Sequence, residues 1–428
     1  MRQSGEPAQV YCTSSIEPIH FVHSARQEDF RVRELPLEEL GAGEPAWTHL
    51  GFEVEKRGLS SDQALGRIAR ALGREPREIG YAGRKDSRGV TRQFLSIEHA
   101  QQAEVAALSI AGLTVLGTGR RARKLRVGEL AGNRFDLLLR QFPKQRYADL
   151  QRALDQLVRE GLPNYYGPQR FGAGGNTADL GRLLARGQWM KYLRAYVRTL
   201  AGGQPGQANS PSLDLLEILA CSEAGPWRAA RRLIPDLPPA LVPLAKQMAR
   251  RPGDVQSLLR SIPRRTQALH LSALQASVFN RVLTARMGQP GGVRRVLPGD
   301  LLLDPWTGDG KPAPEVIGAS EVQQEADRLL RVPSGPLPGP AAERTRAEVA
   351  LWEREALEHD GLDLEQLARL PGGVAPRGAR RALVVGPREL DWEIQGDEVR
   401  LQFTLPPGSY ATVLLAELHK DARPTRSQ

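Results

Sequence analysis

Cysteine is scarce in this sequence, which has only Cys12 and Cys221 among its 428 residues. Two isolated cysteines provide neither a disulfide framework nor a clustered zinc site, so we expect no structural disulfide and no bound metal. No apolar run comes near the roughly eighteen residues that mark a membrane helix, and the N-terminus lacks the pattern of a secretory signal. These absences predict a soluble protein of the reducing cytoplasm.

Acidic residues are also in deficit, because 49 Asp and Glu stand against 59 Lys and Arg and leave a net charge of +10. An excess of positive charge favours a polyanionic partner such as nucleic acid. A general bias towards arginine would produce the same count without any such partner. Charge alone does not decide between these two interpretations, so the motifs must.

Hydrophobic periodicity in the first part of the chain predicts strands that alternate with helices. Leu50, Phe52 and Val54 recur at every second position, which is typical of a half-buried strand. Ser60 and Gln63 then form a candidate capping box at the start of a helix. The same succession recurs later, and it indicates an α+β fold in which helices cover one face of a largely antiparallel sheet.

The middle of the chain differs, because its patterns are helical and it shows few strands. We therefore expect a first domain at 1–180, a mainly helical inserted domain at 181–384, and a return to the first domain at 385–428. Two stretches rich in Gly, Pro and Ser, at 202–212 and 332–343, are predicted to be loops.

The stretch GYAGRKDSRGVTRQFLSI, at 80–97, places Asp86 beside Lys85 on a glycine-flanked loop between two predicted strands. Loops that a rigid scaffold holds in place often carry catalytic residues. The alternative interpretation is an ordinary exposed turn with an ion-paired aspartate.

A second stretch, LPNYYGPQRFG at 162–172, combines aromatic, amide and arginine side chains in a glycine-bounded turn. Such a cluster has the chemistry to stack on a base and to hydrogen-bond its edge, as single-stranded or extruded nucleotides require. The alternative interpretation is a core turn whose aromatic residues are buried as hydrophobes.

The segment at 80–97 resembles the GxKDxxAxTxQ signature of the TruD family of pseudouridine synthases. The positions that match it are Gly83, Lys85, Asp86, Thr91 and Gln93. Gly89 stands where the family often has alanine. The aspartate is the catalytic residue in that family, so the resemblance implies the same role for Asp86.

The segment at 162–172 resembles a second motif of the family, NYFGxQRFG. Tyr166 stands at the position of the usual phenylalanine, which in the family packs beside the target uracil. Further matches follow the family's order along nearly the whole chain, from EDFRVRE at residue 28 to LPPGSYAT at residue 405, where Tyr410 also replaces a phenylalanine. One departure is HSARQEDF, in which Arg26 is the only base near a position where the family commonly has lysine.

The resemblance implies a pseudouridine-synthase-type catalytic domain, with a mixed, largely antiparallel sheet flanked by helices, interrupted by the mainly helical TruD insertion domain. The substrate-binding residues that it implies are Lys85, Asn164, Tyr166, Gln169, Arg170 and Tyr410. An RNA stem is expected to lie between the two domains. The run RRARKLR would then form one basic wall, through Arg120, Arg121, Arg123 and Lys124, although a solvated turn explains it equally well.

The implied activity is the isomerisation of a uridine in RNA, uridine 13 of tRNA, to pseudouridine. Such an enzyme needs no cofactor, and we expect no obligate protein partner and a monomer. Asp86 would act as an ionised carboxylate, either by covalent attack or by removing the ribose 2′ proton, and the sequence leaves both routes open. The alternatives are a synthase acting on another RNA and a non-catalytic RNA-binding protein of the same fold, against which the intact Asp86 argues.

Overall fold

The structure is a computed structural model that describes residues 9–41, 43–44, 46–85, 89–172, 174–200, 211–220, 227–314 and 321–420. The predicted catalytic residue Asp86 and the greater part of the predicted loop at 202–212 lie outside these ranges. Within them, no helix combines the length and the apolar character that crossing a membrane requires.

The described residues form fifteen strands. They are β1 Val22–His23, β2 Phe30–Pro36, β3 His49–Arg57, β4 Gly80–Tyr81, β5 Val90–Glu98, β6 Leu113–Arg121, β7 Leu130–Arg140, β8 Leu162–Pro163, β9 Leu301–Leu303, β10 Gly310–Pro312, β11 Val332–Leu337, β12 Ala379–Ala382, β13 Val384–Val385, β14 Arg388–Gln395 and β15 Glu398–Leu405.

Fourteen α-helices lie in the same ranges. They are α1 Ser61–Ala71, α2 Gln102–Ala106, α3 Tyr147–Glu160, α4 Thr177–Ala185, α5 Trp189–Leu200, α6 Pro211–Ala220, α7 Ala230–Leu233, α8 Val242–Arg250, α9 Val255–Ser261, α10 Arg264–Met287, α11 Glu321–Asp327, α12 Ala347–His359, α13 Leu364–Ala368 and α14 Ala411–His419.

One large sheet contains nine of the strands. Its order from edge to edge is β14-β15-β7-β2-β5-β3-β6, with β1 paired to β7 and β4 paired to β5. The β2 and β5 strands are parallel, whereas the other pairs in this sheet are antiparallel. The prediction of a mixed, largely antiparallel sheet in an α+β fold is confirmed.

The strand β3 and the helix α1 form where their sequence predicts them. Leu50, Phe52 and Val54 are at most 6% exposed along β3. The capping box is complete, because Gln63 donates its backbone N–H to Ser60 Oγ at 3.2 Å and the backbone N–H of Ser60 donates to Gln63 Oε1 at 2.9 Å. Both groups would otherwise lack partners at the helix start.

Two hydrophobic clusters cover the same face of the large sheet. The first lies over β2, β7 and β15 and includes Val32 and Phe135, together with side chains of α3 and α14. The second lies over β3 and β5 and includes Phe52 and Leu95, together with side chains of α1. Val32 and Leu95 face the same side of the sheet, because Val32 is paired with Thr91 and residues 91 and 95 of β5 point to the same side of the strand. Helices therefore cover one face of the sheet in two separate halves.

The helices α4 to α9 pack around a third hydrophobic cluster. The long helix α10 joins it to the large sheet, because Leu271 and Leu274 belong to the helical cluster while Phe279 and Leu283 belong to the first cluster over the sheet. The helices α4 to α9 are thus connected to the sheet through one continuous helix of 24 residues, α10.

The prediction of a loop at 332–343 was wrong for the first half of that stretch. Residues 332–337 form β11, which lies inside a second sheet of order β10-β9-β11-β12 and is buried from 332 to 336. Prolines normally argue against an inner strand, because they lack the N–H that pairs with a neighbour. Here Pro333 pairs through its carbonyl, which accepts the N–H of Leu383 at 2.9 Å. Gly335 permits the close packing of Phe279, since a Cβ there would lie 3.0 Å from that ring.

Gly161 links α3 to the second motif, and its close contact with Val384 of β13 can be tested by substitution. Its backbone has φ 83° and ψ 162°, and an added Cβ would lie 2.5 Å from Val384 Cγ2. We expect Gly161→Ala to lower the free energy of unfolding by roughly 2–4 kcal/mol, through backbone strain and overpacking together. Gly73→Ala is the matched control, because Gly73 also has positive φ but its Cβ would meet no atom within 4 Å. Urea unfolding that gives equal losses for both variants would contradict the prediction.

Candidate active site

Polar side chains occupy the middle of the sheet face, between the two hydrophobic halves. Glu34, Lys56 and Gln93 are each at most 1% exposed, and they lie on the three neighbouring strands β2, β3 and β5. Burial of such groups is unfavourable unless each has a partner. The loop that carries Lys85 supplies a partner to each member of this central group.

Lys85 is held by a buried ion pair. Its Nζ lies 2.6 Å from Glu34 Oε1, and the two side chains are 10% and 1% exposed. Glu34 Oε2 accepts the backbone N–H of Phe94 at 2.9 Å. The Glu34 carboxylate thereby joins β2, β5 and the loop at the point where β2 stops pairing with β5 after Arg33.

The loop backbone around Lys85 is fixed by three further side chains. Lys85 donates its N–H to Ser61 Oγ at 2.8 Å, and its carbonyl accepts from Lys56 Nζ at 3.2 Å. Gln93 Nε2 donates to the carbonyl of Gly83 at 2.6 Å. The chain entering residue 86 is therefore held from α1, β3 and β5 together.

The chain that leaves the loop is held just as closely at Gly89. A Cβ on that residue would lie 2.3 Å from the carbonyl oxygen of Phe30, which explains glycine at this position. Phe30 follows the buried Asp29, which Arg140 Nη2 contacts at 2.7 Å. Burial acts to raise the pKa of Asp29, but hydrogen bonds from Arg140 and from the backbone of Arg26 outweigh it and leave the pKa below its ordinary value.

Asn164 of the second motif uses its amide within the protein. Its Nδ2 donates to the carbonyl of Ala382 at 2.9 Å. Its Oδ1 accepts from Arg381 Nη2 at 2.6 Å and from Ser409 Oγ at 2.9 Å. Asn164 is 4% exposed, so it joins the motif to the C-terminal segment.

Tyr166 is 9% exposed, and cationic and aromatic side chains surround its ring. The guanidinium carbon of Arg381 lies 4.2 Å from the ring centroid, and that of Arg170 lies 5.3 Å away. The rings of Phe279 and Tyr410 meet it at centroid distances of 5.5 and 5.9 Å. The structure thus brings together three residues predicted from the sequence, Tyr166, Arg170 and Tyr410, and adds Arg381.

Gln169 lies on the exposed side of this turn. Its Nε2 donates to Thr412 Oγ1 at 3.0 Å, which connects the second motif to the first turn of α14. Gln169 is thereby attached to the same C-terminal segment that holds Asn164.

Residues that hold the two motifs lie near the same end of the central strands. Leu405, the last residue of β15, is paired with Asn133 of β7, which is paired with Glu34 of β2. Adjacent strands lie about 4.8 Å apart, so the turn that leads to Tyr410 begins about 10 Å from Glu34. Asn133 is 8% exposed and its Oδ1 has no hydrogen-bond partner in the described part of the chain.

The basic run lies at the far edge of the sheet and is partly paired. Arg121 is 4.0 Å from Glu38, Arg123 forms an ion pair with Glu129, and Lys124 donates to a backbone carbonyl. Arg120 donates to the carbonyl of Trp47 at 3.2 Å while remaining exposed. These residues lie together at and just after the end of β6, where Arg121 and Arg123 line one small pocket with Glu34.

Sequence reasoning missed the residues that hold the site from outside the two motifs. They are Glu34, Ser61, Arg381 and Ser409, together with Asn280, which accepts the backbone N–H of Tyr166 at 2.8 Å and donates to the Tyr166 carbonyl at 3.0 Å. Several belong to segments that match the family, but an isolated segment does not reveal its partner. Across the described ranges no group of three or more His, Cys, Asp or Glu residues is arranged to hold a metal ion.

We expect Glu34→Ala to lower the free energy of unfolding by about 3–5 kcal/mol. The substitution leaves the Lys85 ammonium buried without its partner and also removes the acceptor of the Phe94 N–H. Urea unfolding measures the loss. Glu365→Ala serves as the control, because its ion pair with Arg369 is about 80% exposed on both sides and should contribute no more than about 0.5 kcal/mol. Similar losses for both variants would contradict the prediction.

Comparison with known proteins places the chain in a family. The profile described as "tRNA pseudouridine synthase D (TruD)" matches residues 8–418. A tRNA pseudouridine synthase D of Geobacter sulfurreducens is 34% identical over 411 residues, covering 96% of both proteins. That of Geobacter metallireducens is 33% identical over 398 residues, covering 93% of this chain and 94% of the relative.

A solved structure has the same fold. The putative tRNA pseudouridine synthase D from Methanosarcina mazei superposes with a TM-score of 0.71 at 23% identity, covering 96% of each chain. At this coverage the match includes both the large sheet and the helices α4 to α9. Together with the profile and the relatives, it means that this chain belongs to the TruD family of tRNA pseudouridine synthases.

Proposed function

We propose that this protein is an isomerase that converts uridine 13 of tRNA to pseudouridine, with Asp86 as its catalytic carboxylate. The anchoring of the loop carries this proposal. Three side chains hold the backbone from Gly83 to Lys85, directly before Asp86, and Glu34 holds the Lys85 side chain. Such anchoring is what positioning a reacting group requires. Transfer RNA as the substrate implies a cytoplasmic enzyme, and we propose that it acts as a monomer.

The reaction breaks the bond between ribose C1′ and uracil N1, turns the base and rejoins it through C5. The C5 proton is then released and N1 gains a proton, so the product is an isomer of the substrate. Asp86 serves in its ionised form in both available routes, as a nucleophile or as the base that takes the 2′ proton. The ammonium of Lys85 is 2.6 Å from Glu34. We therefore assign Lys85 the role of holding the loop. The part of its positive charge that Glu34 does not offset still favours the ionised form of a neighbouring carboxyl group.

The target base must leave its stack before it reacts, at a cost of a few kcal/mol. We propose that the aromatic pair Tyr166 and Tyr410 receives it. Because Arg381 lies over the Tyr166 ring, Tyr166 contributes chiefly through its edge, and the half-buried Tyr410 offers the more accessible ring. Asn164 supports this pair by joining the turn to Ser409, and Gln169 supports it through Thr412.

Asp86→Asn tests the function. We expect this variant to bind an unmodified tRNA transcript with parental affinity but to form no pseudouridine at position 13, because an amide serves neither as nucleophile nor as base. Pseudouridine mapping of the transcript after incubation measures the product. Product formed by the parental protein only at another uridine would reject the position, and near-parental turnover by Asp86→Asn would reject the catalytic assignment.

Tyr410 provides a cleaner test of base stacking than the more deeply packed Tyr166. Tyr410→Ala should lower kcat/KM by about 5-fold to 150-fold, which corresponds to the roughly 1–3 kcal/mol of stacking on one base. Tyr410→Phe keeps the ring and should retain most activity. Thermal unfolding on the same preparations separates a binding role from a structural one. A Tyr410→Ala protein that melts normally and turns over at the parental rate would refute the assignment.

We further propose that Arg120, Arg121 and Arg123, with Lys124, contact RNA phosphates. Replacing the three arginines by alanine should reduce the slope of log affinity against log salt by about 1 to 3, since each phosphate contact contributes about 0.9. The reduction in slope should be near the lower end of this range if Arg121 and Arg123 keep their ion pairs when RNA binds. Arg152→Ala, at an exposed position on α3, should leave the slope unchanged. An unchanged slope for the triple variant would exclude this wall from the RNA path.

A further inference from the structure

A cavity of about 570 Å³ lies between the first three turns of α10, the end of β11 and residues 373–379. Its described lining includes the arginines Arg264, Arg265 and Arg377 and no carboxylate. The volume falls in the range of roughly 300–1,000 Å³ that is typical of ligand sites. The cavity therefore has the size and the charge of a site for an anionic ligand.

The cavity lies beside the loop that carries the first motif. Arg265 Nη2, at its rim, is 2.6 Å from Asp62 Oδ2 in the first turn of α1. Asp62 Oδ1 is in turn 3.6 Å from Arg84 Nη2, and Arg84 is the residue before Lys85. A single exposed carboxylate thus separates the cavity from the candidate active site.

Two of the three cavity arginines have no carboxylate partner in the described part of the chain. Arg264 is held by its Nε, which donates to the carbonyl of Gly372 at 2.5 Å. Glycine at 373 makes room for it, since a Cβ there would lie 2.4 Å from Arg264 Nη2. Arg377 is exposed, and no carboxylate pairs with its side chain in the described part of the chain. Neither Arg264 nor Arg377 is neutralised within the described residues.

The remaining lining is apolar. Leu271, Val374 and Pro376 contribute to the walls, and Leu271 also belongs to the helical hydrophobic cluster. A wall of this kind suits the flat face of a base, whereas arginine forks suit the phosphate oxygens beside it. Inorganic phosphate alone would leave the apolar wall unused, so the lining matches a nucleotide better than a simple anion.

We propose that this cavity binds a nucleotide of the RNA strand next to the target uridine, with its phosphate on Arg264 and Arg377. The proposal rests on the function proposed above. Extrusion of one base leaves its neighbours tied to it by the backbone, so a neighbour must remain close to the loop. The bridge from Arg84 through Asp62 to Arg265 marks the route from the loop to the cavity.

Binding of a tRNA transcript to the full-length protein, measured as a function of KCl, tests the site. Arg377→Ala should weaken binding about 10-fold at moderate salt and reduce the salt slope by about 1, as the loss of one phosphate contact requires. Arg369→Ala is the matched control, because Arg369 is 79% exposed, pairs with Glu365 and does not line the cavity. An unchanged affinity and slope for Arg377→Ala would overturn the proposal.

Uncharged methylphosphonate linkages placed one at a time around the target uridine identify the phosphate. At one linkage the loss of affinity should not add to the loss from Arg377→Ala, because both remove the same contact. Additive losses at every linkage would overturn the proposal. Uridine 5′-monophosphate distinguishes a second source of the same chemistry. If it binds through Arg377 while the transcript slope is unchanged in Arg377→Ala, the cavity is a free-nucleotide site and the proposal fails.

Turnover tests the proposed function, whereas transcript binding tests the cavity. A parental protein that binds the transcript but forms no pseudouridine would reject the proposed function and still leave the cavity measurable. A parental protein with full turnover, together with an Arg377→Ala variant that binds normally, would reject the cavity alone.

Discussion

The ion pair between Glu34 and Lys85 is the contact on which the site depends. The sheet face carries two hydrophobic halves, and the polar groups between them are stable in the interior only if each is paired. Glu34 meets this condition by accepting from the Lys85 ammonium and from the Phe94 N–H. One carboxylate thus accepts the Phe94 N–H of β5, which β2 leaves unpaired, and also neutralises the Lys85 ammonium that the loop brings into the interior.

Arg381 has a comparable role for the second motif. It donates to the side chain and the carbonyl of Asn164, donates to the carbonyl of Gly408, and lies over the ring of Tyr166. These residues come from three distant parts of the chain, so the surroundings of Tyr166 are complete only when the segment around Arg381 and the segment that follows β15 are both in place. An arginine suits this task because its planar group donates several hydrogen bonds while one face packs on a ring.

The elements that sequence predicted well are those whose signals are local. The capping box of Ser60 and Gln63 and the alternation along β3 depend on neighbours a few residues away, and both appear in the structure. The stretch at 332–343 shows the opposite case. Its prolines and glycine indicate a loop locally, but the pairing of β11 and the packing of Phe279 are determined by residues far along the chain.

The same distinction applies to the candidate site. The motifs contain Lys85, Asn164 and Tyr166, but their partners Glu34 and Arg381 lie 51 and 217 residues from Lys85 and Asn164. Such pairs form only when the sheet brings distant strands together, so the closure of long chain segments precedes them. The loop before Asp86 therefore owes its rigidity to the complete sheet and not to its own sequence. A substitution that loosens the central strands should disturb the loop even without touching it, because a buried ion pair has no partial arrangement of comparable stability.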